Sequence, residues 1–251
     1  MVFYKKYILS KKVDKGENRM TYREKAKKLI QNKRLIRLVN TTIVYYLIFL
    51  MLERREGELN IIEVSLDRMI PFCEYFIVPY LLWFPYITIC ITWFCLKERE
   101  EEYTKLFKSL VVGMVVFVLF SLLYPNGQEL RPVLLGENIF ERMVMGLYEA
   151  DTSTNIFPSL HVFNSIICCI AVCRNRTGQR FRLLRLGTVV LTVSIVLATM
   201  FLKQHSVLDV LGAILLNLLC YKHFYEEDAL LERSAEFSEL REKGKLRRIR
   251  E

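Results

Sequence analysis

Two histidines, an aspartate and an arginine sit at the edges of apolar runs, where a polar side chain needs a reason. Ser159 and His161 lie in "TNIFPSLHVFNS" (154–165), His205 and Asp209 in "KQHSVLDV" (203–210), and Arg131 in "NGQELRP" (126–132). His205 and Asp209 are four residues apart, so on a helix they share one side. A carboxylate there accepts from one imidazole nitrogen, which fixes the tautomer and leaves the other nitrogen free to attack. Pro158 suits the first turn of a helix, where its missing N–H is no loss. The following N–H groups, near Ser159 and Leu160, then face the site and favour an anion. Arg131 adds a planar fork matched to phosphate oxygens. Together these groups suit phosphoryl transfer, with one histidine attacking phosphorus and the other protonating the leaving oxygen. Gln128 and Asn155, in the adjoining loops, are further candidates for substrate contact, although polar loop residues more often cap turns.

The elements that must position these residues are membrane helices. The chain has 251 residues, is 53% hydrophobic and still carries a net charge of +9. Six apolar runs stand out, at 35–52, 72–96, 106–124, 158–173, 183–202 and 207–225. A bilayer core about 30 Å thick needs roughly 20 apolar residues per helix. The fourth run is short, the sixth carries Asp209 near its start, and the second contains Pro79 and Pro85, which membrane helices tolerate when neighbours satisfy the freed carbonyls. The expected fold is all-α, a polytopic six-helix membrane bundle with the first run retained as a span.

Charge sets the expected orientation. Of the 36 Lys and Arg residues, 30 fall with the N-terminal segment, the second and fourth loops and the tail, when those at the adjoining ends of the runs (Arg37 and Lys222 among them) are included, and 6 with the intervening segments. That alternation places both termini in the cytoplasm and the sparse loops outside. The three stretches that carry the histidines and Arg131 then all reach the outer face. The positive balance needs no nucleic acid to explain it; anionic lipid headgroups at the cytoplasmic leaflet are the expected partner of the Lys-rich N-terminus.

The chain reads as a basic segment at 1–34, expected to form an interfacial helix, a membrane domain at 35–225 and a charged cytoplasmic tail at 226–251. Short interfacial helices are expected within 136–151 and 59–70. The seven cysteines, six of them within spans or at their ends, read as packing groups. CC-x3-C at 168–173 has the wrong spacing for a zinc knuckle. No metal and no other cofactor is expected. Trp83, Trp93 and Tyr124 fit an interfacial aromatic belt, and His223, at the far end of the last run, reads as a bystander.

"RP", "PSLH" and "H-x3-D", in this order on six spans, resemble the type 2 phosphatidic acid phosphatase (PAP2) superfamily of integral membrane enzymes. Its three motifs run approximately K-x6-RP, PSGH and SR-x5-H-x3-D, and the resemblance covers roughly 106–225. It implies that His205 is the nucleophile forming a phosphohistidine, Asp209 its orienting partner, His161 the general acid and Arg131 a phosphate ligand. The chain departs from the motifs at Tyr124 in place of the lysine, Leu160 in place of the glycine, and Ala198 and Thr199 in place of the Ser-Arg pair. Lys203, two residues before His205, is the candidate to restore a missing cation. The altered set, with "FPSLHV" and "KQH", is similar to the branch containing inositol phosphorylceramide and sphingomyelin synthases.

The expected function is a lipid phosphatase acting at the outer face on a phosphomonoester or diphosphate of the phosphatidic acid or polyprenyl diphosphate type. The alternative is a phosphotransferase that passes a phospho-headgroup to a lipid alcohol. A non-catalytic lipid-binding protein that kept the fold is the third reading.

Overall fold

A computed structural model describes residues 31–55 and 57–226, apart from the side chains of Arg176 and Thr177. The expectations for the N-terminal segment and the tail therefore fall almost wholly outside the described residues. The chain divides into two units between Asn40 and Thr41, inside helix α1 (Lys33–Glu53). In the first unit Asn32 Oδ1 accepts from the N–H groups of Arg34 at 2.9 Å and Leu35 at 3.4 Å, which caps the start of α1. The remaining elements lie in the second unit: β1 (Asn60–Ile61), α2 (Ser65–Met69), a 3-10 turn (Glu74–Phe76), α3 (Ile77–Lys97), α4 (Glu100–Leu123), β2 (Asn126–Gly127), α5 (Ile139–Ala150), α6 (Leu160–Arg174), α7 (Arg176–Arg180), α8 (Arg182–Phe201) and α9 (Val207–Phe224).

The chain is an integral membrane protein of all-α class. Among the described residues five helices are long and apolar enough to cross a bilayer: α1, the 3-10 turn continued into α3, α4, α8 and α9. The run expected as a sixth full span is α6, which has only 15 residues. At 1.5 Å per residue it covers about 22 Å of a core about 30 Å thick. Helix α9 shows the membrane sense of the packing. It exposes Leu211, Leu215, Leu218 and Leu219, and buries Asp209, Asn217 and Cys220. Polar groups inside and leucines outside suit a lipid solvent, where buried polar groups face the bundle.

Short α6 is nevertheless the central element, packed against α3, α4, α8 and α9. Its approach to α4 depends on Gly113, because a Cβ there would run into the Phe163 ring. Its entrance depends on Gly212 of α9, where a Cβ would stand 2.6 Å from Cε2 of Phe157. Polar groups tie the helices across this core. Asn217 Nδ2 donates to the Phe163 carbonyl at 3.3 Å, Thr192 Oγ1 to the Ser165 carbonyl at 3.3 Å, and Trp83 Nε1 to the His161 carbonyl at 3.1 Å. Each satisfies a buried donor that lipid cannot.

The expected helix within 136–151 is α5, capped by Asn138, whose Oδ1 accepts from the Glu141 N–H at 2.9 Å. The 59–70 stretch differs from expectation: instead of one helix it forms β1 and the five-residue α2. β1 pairs in parallel with β2, Asn60 opposite Asn126 and Ile61 opposite Gly127, and Gly127 also bridges Thr154. These pairings, with bonds from Gln128 to the Lys203 carbonyl and from Lys203 to the Asp67 carbonyl, gather the 59–70, 125–131, 151–159 and 202–206 segments at one end of the bundle. Glu98 and Asn175, bonded at 2.9 Å, mark the other.

Candidate active site

His161 is held by the entrance of α6. Ser159 is the N-cap: its hydroxyl accepts from the Val162 N–H at 3.3 Å, and its own N–H donates to the Asp209 carbonyl at 3.3 Å. Pro158 stands one residue before the cap, so it lies outside the helix and not in the first turn as expected; Leu160 and His161 occupy that turn. Their N–H groups precede any intrahelical acceptor. The turn before them is fixed by Asn126, which is fully buried and whose Oδ1 accepts from the N–H groups of Ile156 and Phe157, both at 3.0 Å. The His161 ring packs on Tyr80 (centroids 4.9 Å apart) and Trp83 (4.4 Å).

His205 comes from the link between α8 and α9. The Thr199 carbonyl accepts from the N–H groups of Gln204 (2.9 Å) and His205 (3.1 Å), which folds the link back on the end of α8. The ring centroids of His161 and His205 are 5.8 Å apart. Asp209, fully buried, places Oδ2 3.4 Å from His205 Nδ1, an ion-pair distance that is long for a hydrogen bond. The same oxygen accepts from the Ser206 N–H at 2.8 Å, while Oδ1 is buried without a partner.

A cavity of about 390 Å³ opens over both histidines. His161, His205, Leu160 and Asn155 line it, and so do four residues that sequence reasoning did not assign to a site: Trp83, Asp151, Asn164 and Gln204. Trp83, expected in an interfacial belt, also packs its ring at a tilt of 47° against His161. Gln204 presents a buried Nε2 with no partner, so an amide donor is free at the cavity wall. Asp151, the C-cap of α5, accepts from the Tyr80 hydroxyl at 3.3 Å. Burial lifts its carboxyl above the ordinary range, with the His205 and Arg131 charges pulling the other way.

The remaining expected phosphate ligands stand behind this wall. Arg131 donates through Nη2 to Gln204 Oε1 at 2.8 Å and to the Asp151 and Thr152 carbonyls at 2.8 and 3.0 Å, and through Nη1 to the Tyr148 carbonyl at 3.2 Å. Its guanidinium lies 4.4 Å over the Tyr148 ring, and burial lowers its pKa, opposed by Asp151. The Lys203 ammonium is bonded to the carbonyls of Asp67, at 2.6 Å, and Ile70, with burial lowering its pKa against the pull of Asp67. Gln128 is used structurally: Nε2 donates to the Lys203 carbonyl at 2.7 Å and Oε1 accepts from the Leu130 N–H. Asn155, at φ +50°, donates to the Leu52 carbonyl at 3.4 Å. None of Arg131, Lys203, Ser159, Gln128 or Asp209 lines the cavity. Among the described residues no three His, Cys, Asp or Glu side chains gather as a metal site.

A family model described as the PAP2 superfamily matches residues 68–222, which contain both histidines, Asp209 and Arg131. The chain belongs to the PAP2 superfamily. No curated protein and no solved structure matches it. In general terms, then, this PAP2 protein is a membrane protein of phosphatase-like type, directed at lipid phosphoesters.

Proposed function

We propose that this PAP2 protein cleaves a lipid phosphoester at the outer membrane face through a phosphohistidine on His205. The observation that carries the reading is the pair of imidazoles 5.8 Å apart on one cavity, one of them backed by a buried carboxylate. The Asp209 carboxylate, 3.4 Å from His205 Nδ1, favours the proton on that nitrogen, so Nε2 keeps its lone pair and attacks phosphorus. The P–O bond to the lipid breaks, and His161 gives the leaving oxygen a proton. An acceptor hydroxyl then returns that proton to His161, attacks the phosphohistidine and frees His205. Gln204 Nε2 and the first-turn N–H groups of α6 receive the phosphoryl oxygens. Arg131 acts through Gln204, holding its amide in place.

The cavity wall favours one of the two outcomes. Among the described residues no Lys or Arg lines it, whereas Asp151 does. A phosphomonoester dianion or a diphosphate meets a carboxylate there without a lining cation, and like charges at short range repel. A phosphodiester carries a single negative charge and brings a headgroup. The second outcome, transfer of a phospho-headgroup to a lipid alcohol, is therefore the better supported.

The test uses purified protein in lipid nanodiscs with phosphatidic acid, a polyprenyl diphosphate, and phosphatidylcholine, phosphatidylethanolamine and phosphatidylinositol, with and without ceramide or diacylglycerol. Free phosphate and new lipids are followed for wild type and His205→Ala, with chelator present. A new lipid that requires the alcohol acceptor, and is lost in the variant, supports transfer. Phosphate release from the monoesters, lost in the variant, restores the phosphatase reading. Identical behaviour of variant and wild type removes the catalytic reading and leaves a lipid-binding protein.

A further inference from the structure

Asp67 is a buried carboxylate that the mechanism above does not use. It lies on α2, is 2% exposed, and falls one residue before the family match begins. Its partners come from the start of α9, about 140 residues away in sequence. Oδ1 accepts from the Val207 N–H at 2.7 Å, and Oδ2 from the Ser206 hydroxyl at 2.7 Å and from its own loop's Val64 N–H at 2.8 Å. Its carbonyl accepts from Lys203 Nζ at 2.6 Å. His205 thus sits between two anchors: Lys203 on one side and Ser206–Val207 on the other, both ending on α2.

We infer that Asp67 is a positioning residue for His205, fixing the height and angle of the imidazole by clamping the segment on either side of it; the inference rests on the nucleophilic role proposed for His205. The neighbouring groups hold other points of that segment: Asp209 Oδ2 accepts from the Ser206 N–H, and Gln128 donates to the Lys203 carbonyl. Only Asp67 supplies an acceptor to the Val207 N–H. With Asp209 and Asp67 filling the first turn, the positive end of α9 is occupied by protein carboxylates and is closed to a phosphate. The phosphoryl group is left to the first turn of α6 and to Gln204, whose residues line the cavity with His205. Losing the carboxylate leaves the Val207 N–H and the buried Ser206 hydroxyl short of an acceptor, while the Lys203 anchor on the Asp67 and Ile70 carbonyls remains; a misplacement of a nucleophile by about 1 Å costs about 100-fold in rate.

The test compares wild type and Asp67→Asn in nanodiscs by amide exchange and by turnover of the panel lipid that wild type uses fastest. An amide keeps the shape but cannot accept at both oxygens, so the Val207 or Val64 N–H loses its acceptor. Expected are exchange about tenfold faster across 203–210 with α6 and α8 unchanged, and a fall in kcat of about 10–100-fold with KM within twofold. Unchanged exchange at 203–210 overturns the clamp, and faster exchange with unchanged kcat overturns its role in positioning. If Asp67→Asn does not accumulate folded, Ser206→Ala deletes the hydroxyl bond to Asp67 together with the α9 cap to the Leu208 N–H, and is expected to give faster exchange at 203–210 with the same fall in kcat; no change in it is equally adverse. Should wild type turn over none of the panel, the proposed function fails. The exchange measurement alone then decides whether Asp67 holds the segment.

Discussion

His161 and His205 make different demands on their surroundings, and replacing each should cost differently. His205, as nucleophile, has no substitute in the cavity, so His205→Ala is expected to lower turnover by at least about a thousandfold. His161, as proton donor, should cost about 10²–10⁴-fold, and less for a substrate whose leaving oxygen is already acidic. A p-nitrophenyl phosphodiester against a natural lipid measures that difference. Equal losses on both would remove the acid role. Asp151 offers a separate handle through pH. Burial raises its folded-state pKa above the unfolded value, so the folded protein holds the extra proton between the two. Stability therefore falls as pH rises through that window and stays lower above it. Asp151→Asn should leave the melting temperature nearly unchanged at acid pH and raise it at neutral pH, as melting curves across the range will show. The same variant should turn over phosphatidic acid faster than wild type does. That the two histidines and Asp209 come together was legible in sequence from their spacing and shared end of the bundle, whereas Arg131, expected on the phosphate, stands behind Gln204. Gln204, Asp151 and Asp67 were not, since an amide beside a histidine, a helix C-cap and a loop acid look like ordinary loop chemistry until the chain is folded. Lys203 was misjudged for a related reason: its spacing places the Cα, at φ +53°, but not where the ammonium ends.

At the level of elements, the close approaches of α6 limit what the sequence tolerates. Gly113→Ala forces a Cβ into the Phe163 ring, which must swing or push α4 away; overpacking of this kind costs about 1–3 kcal/mol. Gly146, on α5, has open space at its Cβ position, so Gly146→Ala is the control expected to be neutral or stabilising. Thermal unfolding of the two variants in the same lipid checks the contrast. The helices themselves were readable from apolar runs to within a few residues, and so was α5 inside the loop before α6. The pairing of β1 with β2 was not. Its two-residue strands have no alternating pattern, and they exist because Asn60 and Asn126 meet in space through the Pro125 carbonyl, which accepts from both the Asn60 N–H and its side chain at 2.9 Å.

For the molecule as a whole, the loops that join at the site end are those poor in Lys and Arg. The 125–157 loop should therefore be reached by a protease or an epitope antibody from outside intact cells, and the 98–99 turn should not. Cytoplasmic accessibility of the 125–157 loop would move the site to the other leaflet. One more consequence comes from α6. A helix about 8 Å shorter than the hydrocarbon layer cannot carry His161 to the headgroup plane at one end and reach the opposite surface at the other. Because α3, α4, α8 and α9 enclose α6, the lipid meets those helices, and the reacting phosphate must sink to reach His161. The catalyst then doubles as a gauge of its surroundings: turnover should peak in bilayers built from short acyl chains and fade as the chains lengthen.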